Sequence, residues 1–380
     1  MDFSLSEDIT MVRDMAREFA TNELLPRATQ HDRDEKIDPA VLTMMAELGL
    51  MGLTIPEEYG GSGLGNLALT VVLEEINWAC ASTGVTLSVH NSLVSGAINK
   101  WGTAEQKQAW LPKLASGEII GAYCLTEANA GSDAASLACK ATRDGDEWVL
   151  DGTKIWVTNG GLAGIYIVYA RTDPDAPRQR GISAFLVPRD AAGLSVGKHE
   201  PKTGIRGSST TEILLDNVRI PAGNLLGELN RGFPLALDTL DGGRIGIAAQ
   251  GIGIGRACLE ASVKYAHERY QFDQPIGNFQ AIQWKLADMS TRIDGARLLA
   301  YKAAWMRDRK EPCTQQAAEA KLFSSLTANF CADECLQIHA GAGYTDEFHV
   351  ERLFRDARIT EIYEGATDIQ RLVIARNVMA

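Results

Sequence analysis

Apolar positions along the chain change their period twice. Ile9, Val12, Ala16, Phe19 and Ala20 recur at helical spacing behind Ser6, which can cap a helix whose first turn carries Glu7 and Asp8. Asp38-Pro39 joins a cap to a first-turn proline and opens a second helix running to about Gly49. Leu67, Leu69, Val72, Leu73 and Ile76 give another stripe between Gly65 and Ala81, set off by the turn-rich Pro56 to Gly61 run. Alternation then takes over. Trp148 to Leu150, Asp151-Gly152 and Thr153 to Val157 read as a hairpin, because Asp-Gly suits a tight primed turn. Ile165 to Arg171, Ile182 to Pro188 and Thr211 to Leu215 are further strands. From about Phe233 helical periodicity returns, as in Ile282 to Arg307, Ala317 to His339 and Thr367 to the C-terminus. The pattern predicts a mainly α chain with an antiparallel β domain in its middle. Residues 1–118 form a helical domain, 119–230 the β domain and 231–380 a second helical domain.

Composition narrows the partners. The 380 residues are enough for two or three domains, and 45% hydrophobic with 23% charged residues is ordinary for a chain that buries a core. The net charge of -12 and the lack of a basic run argue against nucleic acid, since phosphate contacts need clustered positive charge. An anionic ligand held by a few local cations or helix N-termini remains open. No apolar stretch approaches the ~20 residues of a membrane span, and the acidic start from Met1 to Asp8 resembles neither a secretory nor a transit segment. Seven scattered cysteines without a C-x-x-C pair suit reduced thiols in a cytoplasmic protein, or in one processed in the mitochondrial matrix.

Two patterns invite chemistry and are better read as packing. Gly251-Ile252-Gly253-Ile254-Gly255 falls short of a dinucleotide fingerprint, because Arg256 stands at the third glycine position and no strand precedes it. Cys331, Cys335 and His339 share a helical spacing, but a metal site needs a further ligand, and free cysteines are commonly core residues.

Three segments carry more. Tyr123 to Asp133 offers hydroxyls, small residues and backbone N–H groups that suit a flat heterocycle or a phosphate, or equally a capped turn. Lys154 to Gly160 sets Trp156 and Thr158 on one face of a strand, an aromatic plate beside a hydroxyl, although a half-buried strand Trp is usually core. In Ile362 to Arg371, Glu364-Gly365 lies between two helical stretches. Such a carboxylate can project into an apolar cleft, where its raised pKa suits a general base, or it can be an exposed loop residue.

Together these segments resemble the acyl-CoA dehydrogenase family in order and spacing, over nearly the whole chain. Asp241-Gly242-Gly243-Arg244, Arg269-Tyr270-Gln271-Phe272, Gln337-Ile338-His339-Ala340-Gly341 and Arg355-Asp356-Ala357-Arg358 fit the same family. The resemblance implies an N-terminal helical domain, a middle antiparallel β-barrel and a C-terminal four-helix bundle, assembled as a homotetramer. It implies FAD as cofactor, with Tyr123, Leu125, Thr126 and Ser132 lining the flavin, Trp156 packing on it and Thr158 near its reactive edge. Arg269, Phe272, Gln280 and the Gln337 to Gly341 turn resemble elements that hold FAD across a subunit boundary. Asp241 and Arg244 resemble the pair that meets the acyl-CoA substrate, which Ser132 and Gly365 also touch. Glu364 is then the base that takes the α-proton, the β-hydrogen leaves as hydride, and electrons pass to an electron-transfer flavoprotein. Residues 239–248 and 358–365 look most like short-chain, butyryl-type members.

The chain departs from the family pattern at Ala366, where Thr often follows Glu-Gly and where Thr367 now comes one position later. Ala340 replaces a common glycine, and Gly243 occupies the place where some relatives carry the base. Rival readings are another acyl-chain specificity (medium, branched or glutaryl type), an oxidase or monooxygenase on the same fold, and a non-catalytic scaffold.

Overall fold

The computed structural model describes residues 4–380. Its first seven helices are α1 (Glu7–Phe19), α2 (Ala28–Arg33), α3 (Pro39–Glu47), α4 (Gly65–Ala79), α5 (Ala81–Ser88), α6 (Gly96–Trp101) and α7 (Ala104–Ala115). The expected caps are in place: Ser6 accepts from the Ile9 N–H, and Asp38 accepts from the Ala40 N–H with Pro39 at the first helical position. A π-helical turn, Val89–Ser95, continues α5 and is wholly buried. His90 lies within it, fully buried, taking the Gly121 N–H on Nδ1 and reaching the Met51 and Leu114 carbonyls through Nε2.

Eight strands follow in one sheet: β1 (Ile120–Cys124), β2 (Lys140–Asp144), β3 (Glu147–Thr158), β4 (Ala163–Arg171), β5 (Ile182–Pro188), β6 (Leu194–His199), β7 (Thr210–Pro221) and β8 (Leu225–Leu226). Their order is β6-β7-β3-β2-β4-β5-β8, with β1 on β4. Most pairs are antiparallel, but β1 runs parallel to β4, and β2 meets β4 in parallel at Lys140 and Arg171. The sheet is therefore mixed rather than purely antiparallel. Strand β4 has core on both sides. Ile165, Ile167 and Tyr169 pack toward α6 and α7, while Tyr166, Val168 and Ala170 pack with Trp148 and Phe185.

The hairpin expected at Asp151-Gly152 is not a turn. β3 runs straight through it, and the turn between β2 and β3 is Gly145-Asp146. Gly152 (φ 150°) instead marks a register shift against β7, where an added Cβ would lie 2.8 Å from that of Cys139. A bulge and a primed turn ask for the same residue chemistry, so the dipeptide alone does not separate them.

The remaining helices are α8 (Gly232–Glu268), α9 (Gln280–Asp308), α10 (Thr314–His339), α11 (Val350–Arg358) and α12 (Thr367–Val378), with a short hairpin of β9 (Tyr270–Gln271) and β10 (Gln274–Pro275) after α8. The glycine-rich run lies inside α8 and serves packing. A Cβ on Gly251 would come 2.8 Å from the Ser324 carbonyl oxygen, and one on Gly253 2.8 Å from the Trp78 nitrogen. Arg256, at the failed glycine position, is buried between Glu74 and Glu75 at 3.0 and 2.8 Å. Cys331, Cys335 and His339 are core residues of α10, with His339 stacked on Tyr265 at 4.3 Å.

Candidate active site

The segment between α11 and α12 turns back on itself through two successive left-handed residues, Glu364 (φ 50°) and Gly365 (φ 94°). Glycine tolerates that region; glutamate does so only where its surroundings hold it. Two buried donors do so here. Lys321 Nζ on α10 donates to the Gly365 carbonyl at 2.8 Å, and Gln370 Nε2 on α12 donates to the Gly365 and Glu364 carbonyls at 2.8 and 3.1 Å. Thr367 Oγ1 donates to the Glu361 carbonyl at 3.1 Å, leaving the hydroxyl only as an acceptor for anything else. The Tyr363 hydroxyl bonds Gln250 Oε1 on α8.

Held in this way, the Glu364 side chain reaches across to α8. A Cβ built on Gly243 would lie 1.7 Å from Glu364 Oε2 and 2.8 Å from Leu93 Cδ2. The carboxylate thus occupies the volume a side chain at 243 would fill, so a base at either position excludes one at the other. Glu364 Oε2 is closed off from solvent with no hydrogen-bond partner among the described residues, although the residue as a whole keeps some exposure. Its backbone N–H likewise finds no acceptor among the described residues. Burial pushes the carboxyl up to about 7, against the opposing pull of Lys321 and then Arg244. A carboxylate poised near neutrality, with a free enclosed oxygen and a free N–H beside it, is equipped to take a proton and to receive an oxygen.

Arg244 sits one residue along from Gly243 and is buried. Its Nη1 donates to Asp241 Oδ1 at 2.7 Å, and Thr314 Oγ1 donates to Asp241 Oδ2 at 2.6 Å. Both Asp241 oxygens are therefore engaged, and Asp241 acts through the guanidinium it holds. Arg244 Nε is buried without a hydrogen-bond partner among the described residues.

The wall opposite comes from the sheet domain. Tyr123 on β1 packs against Tyr169 at 5.1 Å between ring centroids. Burial first, then Tyr169 and the Glu364 charge, hold its hydroxyl well above the ordinary value, which places this wall beside the base. Leu125 is buried and Thr126 half-buried, while Ser132 is exposed. This loop is pinned from behind by Lys154. Its Nζ donates to the Leu125 carbonyl at 3.1 Å and to Glu127 Oε1 at 2.6 Å. Glu127 also takes the Ala138 and Cys139 N–H groups at 2.6 and 3.0 Å. A register shift between Lys154 and Val157 throws Trp156 outward, 61% exposed at φ 55°, two residues before half-buried Thr158. An exposed tryptophan on a strained bulge, beside a loop whose backbone is anchored from behind, fits one face of a flat ring system such as a flavin.

The structure does not bring the remaining flavin candidates to this wall. Arg269 and Phe272 follow the far end of α8, Gln280 opens α9, and Gln337 and Gly341 flank the end of α10; all are exposed. From Gly243 to Arg269 is roughly 39 Å along a helix rising ~1.5 Å per residue. Within one chain the two groups form separate halves. Phe272 is 87% exposed at φ 52°, and Ala340 adopts φ 52° and ψ −133°.

Sequence reasoning missed Lys321 and Gln370. The available signal was a lysine on the same helical stripe as Ala317, Ala320 and Ser324, all of which are buried.

Three family models match the chain: acyl-CoA dehydrogenase N-terminal domain over residues 6–118, middle domain over 122–218 and C-terminal domain over 230–379. The short-chain specific mitochondrial acyl-CoA dehydrogenase of Bos taurus is 48% identical over 375 residues, 99% of this chain and 91% of the relative. Butyryl-CoA dehydrogenase from Megasphaera elsdenii superposes with a TM-score of 0.98 at 40% identity, covering 100% of both chains. A chain in a structure described as the electron transferring flavoprotein of Acidaminococcus fermentans also superposes at 0.98, with 42% identity and 100% coverage of both chains.

Proposed function

The chain belongs to the acyl-CoA dehydrogenase family, and from that membership we propose that it desaturates a short, straight acyl-CoA to the trans-2-enoyl-CoA with Glu364 as base. The observation that carries this reading is the enclosed, unpaired Oε2 of Glu364 over Gly243, beside its own unpaired N–H. The thioester α C–H is a weak acid and ionises only if its carbonyl oxygen is stabilised as charge develops. The Glu364 N–H supplies such a donor, and the carboxylate takes the proton. FAD, when bound there, would supply the hydride acceptor for the β-hydrogen, and an electron-transfer flavoprotein would be the onward electron acceptor. Trp156 and the loop of Tyr123, Leu125, Thr126 and Ser132 cover the ring system, with Thr158 at its edge. Arg244, held by Asp241, and Gly365 line the acyl-CoA side, which Ser132 also borders.

The far group completes the cofactor site from a second copy. Arg269, Phe272, Gln280, Gln337 and Gly341 act there on FAD in a homotetramer, while Thr367 meets the cofactor from the Glu364 side. Residues 1–118, 119–230 and 231–380 form the three domains of each subunit, and the protein works in the cytoplasm. No helix of the described residues is long and apolar enough to cross a membrane.

Short-chain preference rests on the named relatives, and each buried methylene adds ~0.8 kcal/mol of binding that an open, deep pocket would reward. The test is kcat/KM from butyryl- to palmitoyl-CoA, with isobutyryl- and isovaleryl-CoA beside them. The expected maximum is at butyryl-CoA. A maximum at octanoyl-CoA or longer, or at a branched chain, would overturn the specificity while leaving the reaction class.

A further inference from the structure

Lys321 lies on the face of α10 with Ala317, Ala320 and Ser324 and is 0% exposed. Its one hydrogen bond goes to the Gly365 carbonyl at 2.8 Å, and no ion pair joins it among the described residues. Burying an ammonium group without a carboxylate partner is costly, and methionine would fill the same space with less penalty. Such a lysine in an alanine-lined groove needs a reason, and what it faces supplies one.

We infer that Lys321 is a positioning residue for the proton-abstracting carboxylate: its ammonium group fixes the Glu364–Gly365 backbone and supplies the positive charge that favours the ionised base. The inference rests on Glu364 being the base. The geometric part follows from the two left-handed residues, whose carbonyls are held, among the described residues, only by Lys321 and Gln370. Without those donors the peptide is free to leave the region glutamate disfavours, and the Glu364 N–H and carboxylate would turn away together. The electrostatic part follows from the surroundings. Facing Glu364 are Lys321 from α10, Arg244 from α8 and Tyr123 from β1, with Tyr363 on its own segment, while Glu361 of that segment acts on Lys321. Beyond Arg244 stand Asp241 and, from α9, Arg307. Arg244 is already tied to Asp241 at 2.7 Å, whereas no carboxylate of the described residues engages the charge of Lys321 at hydrogen-bond range. Lys321 is accordingly the first of the two cations opposing the effect of burial on Glu364. Burial in turn lowers the ammonium to about 8, so it stays charged where the base must ionise.

The test follows the Glu364 carboxyl band through a pH titration of the holoenzyme by infrared difference spectroscopy, with the Glu364→Gln holoenzyme as reference. Lys321→Met and Lys321→Gln both keep the groove filled, so one folded variant suffices. Each is expected to move the midpoint upward by about one pH unit, the lower end of what a neighbouring opposite charge exerts. The acid limb of kcat/KM should move with it, costing about tenfold well below the midpoint and little well above it. Lys321→Arg should return the midpoint toward the wild-type value. Gln370→Ala removes the other donor without altering charge, so it should lower turnover and leave the midpoint in place. A midpoint unmoved in Lys321→Met and Lys321→Gln, or moved as far by Gln370→Ala, would overturn the inference. Because the band is read without turnover, that failure stands apart from failure of the base assignment, which would show as a Glu364→Gln enzyme that still turns over.

Discussion

Glu364 and Gly243 explain each other at the scale of single residues. The Glu364 carboxylate, the proposed base, reaches its place only because α8 carries no side chain where it lies, 1.7 Å from a notional Cβ. Gly243→Ala is therefore expected to displace the carboxylate and lower kcat by at least about a hundredfold, the scale on which a displaced catalytic group loses its reaction geometry. Fold and flavin content should persist, since α8 gains a better helix former. Comparing kcat with flavin absorbance checks this; near-normal turnover would show that the base lies elsewhere. Of the eleven non-glycine residues with positive φ among the described residues, five, Trp156, Asn159, Phe272, Ala340 and Glu364, lie in segments the sequence had marked for function. That coincidence is where sequence and strain agree most closely. What sequence could not show was the pair of donors behind the base. Lys321 reads as one more polar position on an Ala-rich helix, and Gln370 as an ordinary first-turn residue, until the fold brings both to the Gly365 carbonyl.

Among the elements, helices were the more legible. Their caps and apolar stripes are local, and α1, α3 and α4 begin where Ser6, Asp38 and Gly65 indicate. Of the strands, β3, β4, β5 and β7 were placed, β5 at its full span, but β1, β2, β6 and β8 were not, nor were the connections, because pairing depends on distant residues. β3 shows both. Its pattern was visible, yet the Asp151-Gly152 bulge passed for a turn, and the Lys154–Glu127 contact behind the flavin loop was invisible. Lys154 is fully buried and Glu127 nearly so, so removing the cation leaves a carboxylate with only the Ala138 and Cys139 N–H groups. Lys154→Met is expected to cost about 3 kcal/mol and to weaken flavin retention by loosening residues 125–133. Thermal melting and the flavin-to-protein ratio after gel filtration check both; an unchanged ratio would detach this pair from the cofactor site.

For the whole molecule, a few buried charges join what sequence order keeps apart. Arg355 on α11 grips Asp32 at 3.0 and 2.8 Å and the Thr203 carbonyl at 3.1 Å, while Asp356 takes the Ile205 N–H at the β6–β7 connection. One turn of helix thus ties both helical parts to the sheet. Arg256 does the same for α4 and α8. Large apolar side chains remain exposed on the C-terminal helices, including Trp284, Leu298, Trp305 and Leu372, and they suit burial against other copies. The roughly 39 Å along α8 between Gly243 and Arg269 likewise suits the proposed cofactor site shared between copies. Sedimentation velocity of the yellow protein should show a tetramer, and dilution to monomer should release FAD. A fully flavinylated monomer would contradict the shared site.

The central claim, that Glu364 removes the α-proton of an acyl-CoA, is tested most directly by one anaerobic mixing experiment. Butyryl-CoA is added to wild-type and Glu364→Gln holoenzymes, and the oxidised flavin absorbance is followed in a stopped-flow cell. Glutamine keeps the shape and the backbone N–H but cannot accept the proton, so the wild type should bleach within the mixing record. The variant, yellow and with ligand bound, should bleach at least about a thousandfold more slowly. Bleaching of the variant at the wild-type rate would contradict the account.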